Sequence, residues 1–182
     1  MSFERLWAPW RLEYVIGDDS NAPSPPEPKE WRPRSDQKCF LCRGAATYGD
    51  DRQVDRLLHV VARGAQTIVV LNRFPYNNGH LLISPMRHVG ELSELTRDEH
   101  LECMELLARL TTIYRQQLNA EGFNVGLNLG KVAGAGVPGH LHWHLVPRWA
   151  GDNNFMPVLA GTRVIPQSLD ALWELLTSKV PK

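Results

Sequence analysis

His140-Leu141-His142-Trp143-His144-Leu145-Val146-Pro147-Arg148-Trp149 is the stretch whose reading decides the fold. Three of the chain's seven histidines fall here within five residues, at i, i+2 and i+4. Side chains of a strand alternate between faces with a period of two, so His140, His142 and His144 share one side. Leu141, Trp143 and Leu145 then face the other side, as suits a pleated, half-buried surface. On a helix, positions i and i+2 diverge and the array scatters. The spacing predicts a strand with one apolar face and one chemical face.

Immediately upstream, Gly134-Ala135-Gly136-Val137-Pro138-Gly139 is a glycine-rich loop. It joins the histidine strand to Phe123–Gly130, which alternates like a strand and carries Asn124 and Asn128 on one face. Thr96-Arg97-Asp98-Glu99 matches a capping box, with Thr96 as N-cap and Glu99 three residues on. Leu101, Met104, Leu107, Leu110 and Ile113 or Tyr114 follow at helical spacing, so a long helix runs to about Leu118. Strands are expected at Leu57–Ala62, Gln66–Leu71 and His80–Ser84. A turn at Arg63-Gly64-Ala65 links the first two, and a loop at residues 72–79 precedes the third. Beyond the histidines come a turn at residues 151–154, a strand over Met156–Val164 and a final helix over Gln167–Leu176. That helix places Leu169, Leu172, Trp173 and Leu176 on one face. The expected class is α+β: an antiparallel sheet with a long helix packed on it and a short C-terminal helix.

The N-terminal 38 residues differ in character. Trp7, Trp10 and Tyr14 load a short segment that Pro9 could open as a helix, and residues 18–28 are proline-rich and polar. The expected division is an N-terminal appendage, 1–38, and a main domain, 39–182.

At 182 residues, 43% hydrophobic and 22% charged, the chain suits one globular domain. Its formal net charge is zero, which removes a global field for a nucleic-acid polymer. No apolar run reaches membrane-spanning length and no secretory signal is visible, so no membrane partner is expected. Three cysteines without an export signal point to a reducing cytoplasm, where metal binding outweighs a disulfide.

Histidine at neutral pH can serve as nucleophile, acid, base or metal ligand. His142, the middle one, is best placed for attack. Glycines let successive backbone N–H groups approach an anion, and Gly134 and Gly136 stand next to the histidines with Lys131 adding charge. A nucleophile beside an anion cradle is what in-line attack on phosphorus needs. A single metal held by all three histidines is disfavoured, because i and i+4 lie roughly 13 Å apart along a strand.

His140-Leu141-His142-Trp143-His144-Leu145-Val146 resembles the motif of the histidine-triad (HIT) family. The segment from Asn72-Arg73-Phe74-Pro75 to Gly79-His80-Leu81-Leu82-Ile83-Ser84-Pro85 and the strand Phe123–Gly130 are similar to further family segments. With the Trp-Ala-Pro-Trp-Arg start and the stretches at residues 146–155 and 164–167, the chain is most similar to the diadenosine tetraphosphate phosphorylase (ATP adenylyltransferase-like) branch. The resemblance implies nucleotidyl transfer from a dinucleoside polyphosphate through a nucleotidyl-histidine at His142, resolved by inorganic phosphate or by water. It implies that His144 contacts the phosphates and that His140 supports the nucleophile or binds metal. It further implies ribose binding by Asn72, a base pocket at Val70 and Leu82, and Asn128 near the α-phosphate. An adenine nucleotide is the expected ligand, and a homodimer or higher oligomer the expected assembly. One departure stands out: residues 136–139 carry no side-chain donor where many relatives have Ser, Thr or Gln. Two other readings remain open, a hydrolase of other adenylyl compounds such as phosphoramidates and a nucleotide-binding protein with little turnover.

Cys39-X-X-Cys42 is half of a zinc site. Related triad proteins complete such a pair with two histidines, which implies His88 and His140 here and a structural zinc. His59 and His80 are weaker ligand candidates, and Cys103 on the long helix reads as a core thiol.

Overall fold

A computed structural model of the chain describes residues 25–49, 52–152 and 165–180. The aromatic segment at Trp7, Trp10 and Tyr14, most of the proline-rich stretch, and the strand expected over Met156–Val164 lie outside the described residues.

Among the described residues two short helices come first, α1 (Phe40–Ala45) and α2 (Arg52–Leu57). Strands β1 (Val60–Arg63), β2 (Thr67–Leu71) and β3 (Leu81–Pro85) follow. The long helix α3 spans Arg97–Leu118, then come β4 (Gly122–Leu127), β5 (Trp143–Arg148) and α4 (Leu169–Thr177). The strands form one antiparallel sheet in the order β1-β2-β3-β5-β4. Among the described residues no helix is long and apolar enough to cross a membrane.

The strand periodicity sorts residues onto two covered faces. Val69, Leu71, Leu81, Ile83 and Leu145 join Leu107, Leu110 and Tyr114 of α3 and Leu172, Trp173 and Leu176 of α4 in the larger core. Val60, Ile68 and Val70 point the other way and pack with Cys39, Leu41 and Cys42 of α1. The register then builds one row across this second face: Val70 lies opposite Leu82, Leu82 opposite His144, and His144 opposite Gly126.

The capping box forms as expected, with Thr96 Oγ1 accepting from the Glu99 N–H and the Glu99 carboxylate accepting from the Thr96 N–H. The inward stripe of α3, however, runs Glu99, Cys103, Leu107, Leu110, Tyr114. Leu101 and Met104, expected in the core, are 53% and 42% exposed. Glu99 can take an inward position because Arg87 meets its carboxylate with two hydrogen bonds of 2.7 Å.

Other boundaries shift for local reasons. Leu57 ends α2 instead of opening a strand, and His59 turns the chain with φ of 56° before β1 begins. The β1–β2 turn is held by Glu102 of α3, which accepts from the Ala65 and Gln66 N–H groups at 2.8 and 2.7 Å. Arg63 joins α1 to α2 by donating to the Gly44 carbonyl and to Asp55. Upstream of α1, Glu30 bridges to Thr47 and the Arg32 guanidinium donates to the Ala45 carbonyl. His100, which no sequence feature tied down, meets the Leu92 carbonyl at 3.2 Å.

Candidate active site and metal cluster

The histidine ladder begins later than its spacing suggested. Strand β5 starts at Trp143, so only His144 lies within it. His140 and His142 lie on the segment before it, where the His140 N–H bonds the Val137 carbonyl and the Leu141 N–H leaves the sheet for the Val89 carbonyl. Leu141 thereby packs with Val89 and Leu95 in a small third cluster. The three rings do not act as one face: His140 points into a thiol cluster, while His142 and His144 line a cleft.

The cleft holds about 900 Å³. Of the residues singled out by sequence, His142, His144, Asn72, Val70, Leu82, Gly134 and Gly136 line it. Val70 and Leu82 are each 3% exposed, so they serve the core and the cleft floor together. Lys131 and Asn128 are not part of the wall, but the Asn128 amide nitrogen lies 3.4 Å from His144 Nε2. Asn72 is already engaged: its oxygen accepts from the Phe74 N–H and its amide nitrogen lies 3.2 Å from His80 Nδ1. The sequence reading missed several wall residues, among them Phe40 of α1, Arg56 of α2, His59 and Tyr76. Phe40 directly follows Cys39, and its 43% exposure beside a metal-type motif is a signal visible only once α1 is placed.

His142 is buried, and its Nδ1 donates to the carbonyl of His140 at 2.8 Å. That bond fixes the tautomer and leaves the Nε2 lone pair for chemistry. Burial pushes the ring's pKa below the ordinary imidazole value, partly opposed by the His140 carbonyl. His144 stands beside it, with ring centroids 5.1 Å apart. Its Nδ1 lies 2.9 Å from Nε2 of the fully buried His80, and Tyr76 stacks on both rings. His59 and His80, weaker ligand candidates by sequence, thus belong to the cleft wall and to the His144 contact.

Beneath the cleft, Cys39, Cys42, His88 and His140 offer four ligand atoms that all lie within 4.8 Å of one another. Cys39 is the N-cap of α1 and Cys42 sits in its first turn, so one helix start presents both thiols. Cys42 Sγ lies 3.1 Å from His88 Nδ1 and 3.4 Å from His140 Nδ1, and Cys39 Sγ lies 3.3 Å from His140 Nδ1. A hydrogen bond from Cys39 and the neighbouring His140 hold the Cys42 thiol below its usual range, against the opposing effect of burial. The same shared bond and burial push Cys39 up. His140 Nε2 donates to the Pro85 carbonyl at 2.8 Å, so Nδ1 turns its lone pair to the thiols. Two thiols and two imidazoles suit a tetrahedral ion. Gly139 makes room for this set, because a Cβ there would come 3.0 Å from His88 Nε2.

The model of the HIT domain matches residues 57–151, and the chain belongs to this family. It is 38% identical over 181 residues to an AP-4-A phosphorylase of Mycobacterium tuberculosis, covering 97% of this chain and 84% of that one. It is 35% identical over 95 residues to the bis(5'-adenosyl)-triphosphatase of Saccharomyces cerevisiae, 52% of this chain and 46% of that one. Among solved structures, a Zn-bound histidine triad family protein from Mycobacterium smegmatis superposes with a TM-score of 0.54 at 26% identity. That match covers 66% of this chain and 81% of its counterpart.

Proposed function

We propose that the protein transfers an adenylyl group from diadenosine tetraphosphate or a similar dinucleoside polyphosphate to inorganic phosphate. The observation that carries this reading is the His142 Nδ1 bond to the His140 carbonyl, which frees Nε2 in the cleft. In the first step an N–P bond forms at Nε2 of His142 and the P–O bond to the leaving nucleotide breaks, its oxygen keeping the electron pair. In the second, a phosphate oxygen attacks phosphorus and the N–P bond breaks. The products are ATP, then ADP.

The other assignments follow the cleft wall. Val70, Leu82 and Phe40 receive the base, Asn72 the ribose, and His144 the phosphates. Backbone N–H groups at Gly134 and Gly136 add to that anion site, with Lys131 and Asn128 at its rim. The likeness to an AP-4-A phosphorylase over 97% of the chain supports the phosphorolytic form. Residues 39–182 form the catalytic unit and 1–38 its appendage. We assign a structural zinc to Cys39, Cys42, His88 and His140, where bound metal would cross-link α1 to the segments around β3 and His142. Three buried free thiols suit a reducing cytoplasm. Among the described residues strand β4 pairs with β5 alone, and Val125 is 48% exposed on it. Together with Leu101 and Met104 this supports a homodimer through β4 and α3. Val125→Lys should shift the sedimentation coefficient to that of a monomer, and an unchanged dimer would exclude this interface.

The deciding assay incubates the protein with diadenosine tetraphosphate, with and without phosphate. ATP plus ADP, formed only with phosphate, is the expected result, with turnover lost at least about 10⁴-fold in His142→Ala. ATP plus AMP would make it a hydrolase. Nucleotide binding without turnover would make it a binding protein.

A further inference from the structure

The row that carries His144, Leu82 and Val70 continues to the edge of the sheet. Val60 of β1 lies opposite Val70, and the His59 carbonyl just before it accepts from the Leu71 N–H at 2.9 Å. The cleft follows this row, because His144, Leu82, Val70 and His59 all line it. Three strand spacings separate β5 from β1, roughly 14 Å. That is the span of an extended nucleoside monophosphate with one protein atom in contact at each end. With the phosphate at His144, the base lies over Leu82 and Val70, and its edge faces the β1 end. Apolar walls such as Val70, Leu82 and Phe40 grip the face of any base and tell none apart. The β1 end is different in kind. Helices α2 and α4 both pack on β1 there, and Arg56 of α2 and Asp170 of α4 line the cleft.

We propose that Asp170 is a specificity-determining residue that accepts a hydrogen bond from the exocyclic amine of adenine, so that α4 selects a 6-amino purine over a 6-oxo one. This deepens the reading given above and rests on the base lying across Val70 and Leu82. Asp170 stands in the first turn of α4, and Trp173 fixes that helix to β1 by donating from Nε1 to the Val60 carbonyl at 2.7 Å. Arg56 donates from Nε to Asp170 Oδ1 at 3.0 Å and from Nη1 to Glu174 Oε1 at 3.3 Å. Arg52 meets the other Glu174 oxygen at 2.6 Å and lies over the Trp173 ring. The carboxylate of Asp170 is thereby held in place, and the Arg56 hydrogen bond keeps it below the usual carboxylate range. An ionised carboxylate only accepts, and with Arg56 on one oxygen it keeps lone pairs for a ligand donor. The adenine amine supplies that donor, and the charge on the acceptor strengthens the contact. A 6-oxo purine in the same pose brings oxygen against oxygen, which is a repulsive element of selection.

The test is calorimetric binding of AMP and of IMP, which differ at position 6 of the purine, to the full chain. Wild type should prefer AMP by about tenfold. In Asp170→Asn, whose amide can also donate to a 6-oxo group, that preference should vanish. In Glu174→Gln, which loosens Arg56 without altering the cleft wall, it should persist. The Arg56 and Asp170 side chains are 46% and 61% exposed, so the replacement costs little stability and the variant folds. The kcat/KM for diadenosine over diinosine tetraphosphate, with phosphate present, should follow the same pattern. Equal binding of AMP and IMP by wild type, or an unchanged preference in Asp170→Asn, would overturn the proposal. Binding of neither nucleotide would overturn it together with the base pocket. The expected preference in a protein without turnover would sink the proposed reaction and uphold the role of Asp170.

Discussion

At the scale of the residue, the site is a set of tautomers and proton positions chosen by backbone atoms. His142 is the case with a measurable sign. Its folded pKa is lowered by burial, so the ring stays a free base below the ordinary imidazole value of about 6.5. The acid limb of kcat/KM should therefore fall at a pH below about 6.5, which a pH–rate profile checks; a limb above that value would contradict the burial argument. The same shift costs stability in acid. Below about pH 6.5 the unfolded chain binds a proton that folded His142 refuses, so its contribution declines as pH drops. Glu99 behaves in the opposite electrostatic sense, because Arg87 holds its carboxyl low, and its contribution is lost only as pH falls through that depressed value. The triad and the Cys39–Cys42 pair were legible in sequence because their signals are short-range spacings, whereas Asn72 was implied only by the family resemblance. The partnership of His80 with His144 was not, since it joins residues 64 positions apart and depends on the register of β3 and β5.

At the scale of the element, what was legible is what repeats. The capping box at Thr96 and Glu99 announced α3 within one turn, and its loss has a definite expected size. Thr96→Ala should cost about 1 kcal/mol, read from chemical denaturation, because the Glu99 N–H loses its acceptor. Less than about 0.3 kcal/mol would mean that Arg87 and Glu99 alone set the start of α3. Helices α1 and α2 escaped because six residues are too few to show a 3.6-residue period. Of the expected α3 stripe, Leu107, Leu110, Ile113 and Tyr114 face inward with Cys103, whereas Leu101 and Met104 do not, since Glu99 and Cys103 take the inward positions of the first turns. Only the guanidinium of Arg87, delivered by the turn after β3, makes the Glu99 side the buried one. Strand β5 was expected three residues too early, since alternation of side chains continues in extended chain that has left the sheet.

At the scale of the whole molecule, the row Val70–Leu82–His144 explains why cleft and core cannot be separated. Val70, Leu82 and His144 each line the cleft and form a rung of the sheet, so this part of the site inherits the sheet's rigidity. The four-residue cluster fastens the same region from below. His140 gives its ring to the thiols and its carbonyl to His142, so a change at the cluster would reach both the fold and His142. Zinc analysis of purified protein should find one ion per chain, and none in Cys39→Ser. An ion bound at about 1,000 times its Kd contributes about 4 kcal/mol, so a strong chelator should lower Tm by roughly 10 °C. An unchanged Tm and unchanged metal content in Cys39→Ser would remove the four-ligand assignment. The α+β class followed from alternating strand and helix patterns, whereas the sheet order β1-β2-β3-β5-β4 depends on pairings between distant segments that no local pattern encodes.

Cys103 gives the molecule a built-in clock. Its thiol is wholly enclosed between α3 and the sheet, and burial pushes it up to about 12, so neither access nor ionisation favours an alkylating reagent. The other two thiols belong to a different event, since they can be protected by a ligand at α1. Reagent uptake should therefore come in two steps, two equivalents on stripping the metal and a third only when α3 lifts from the sheet. The rate of that third equivalent measures how often the native core opens.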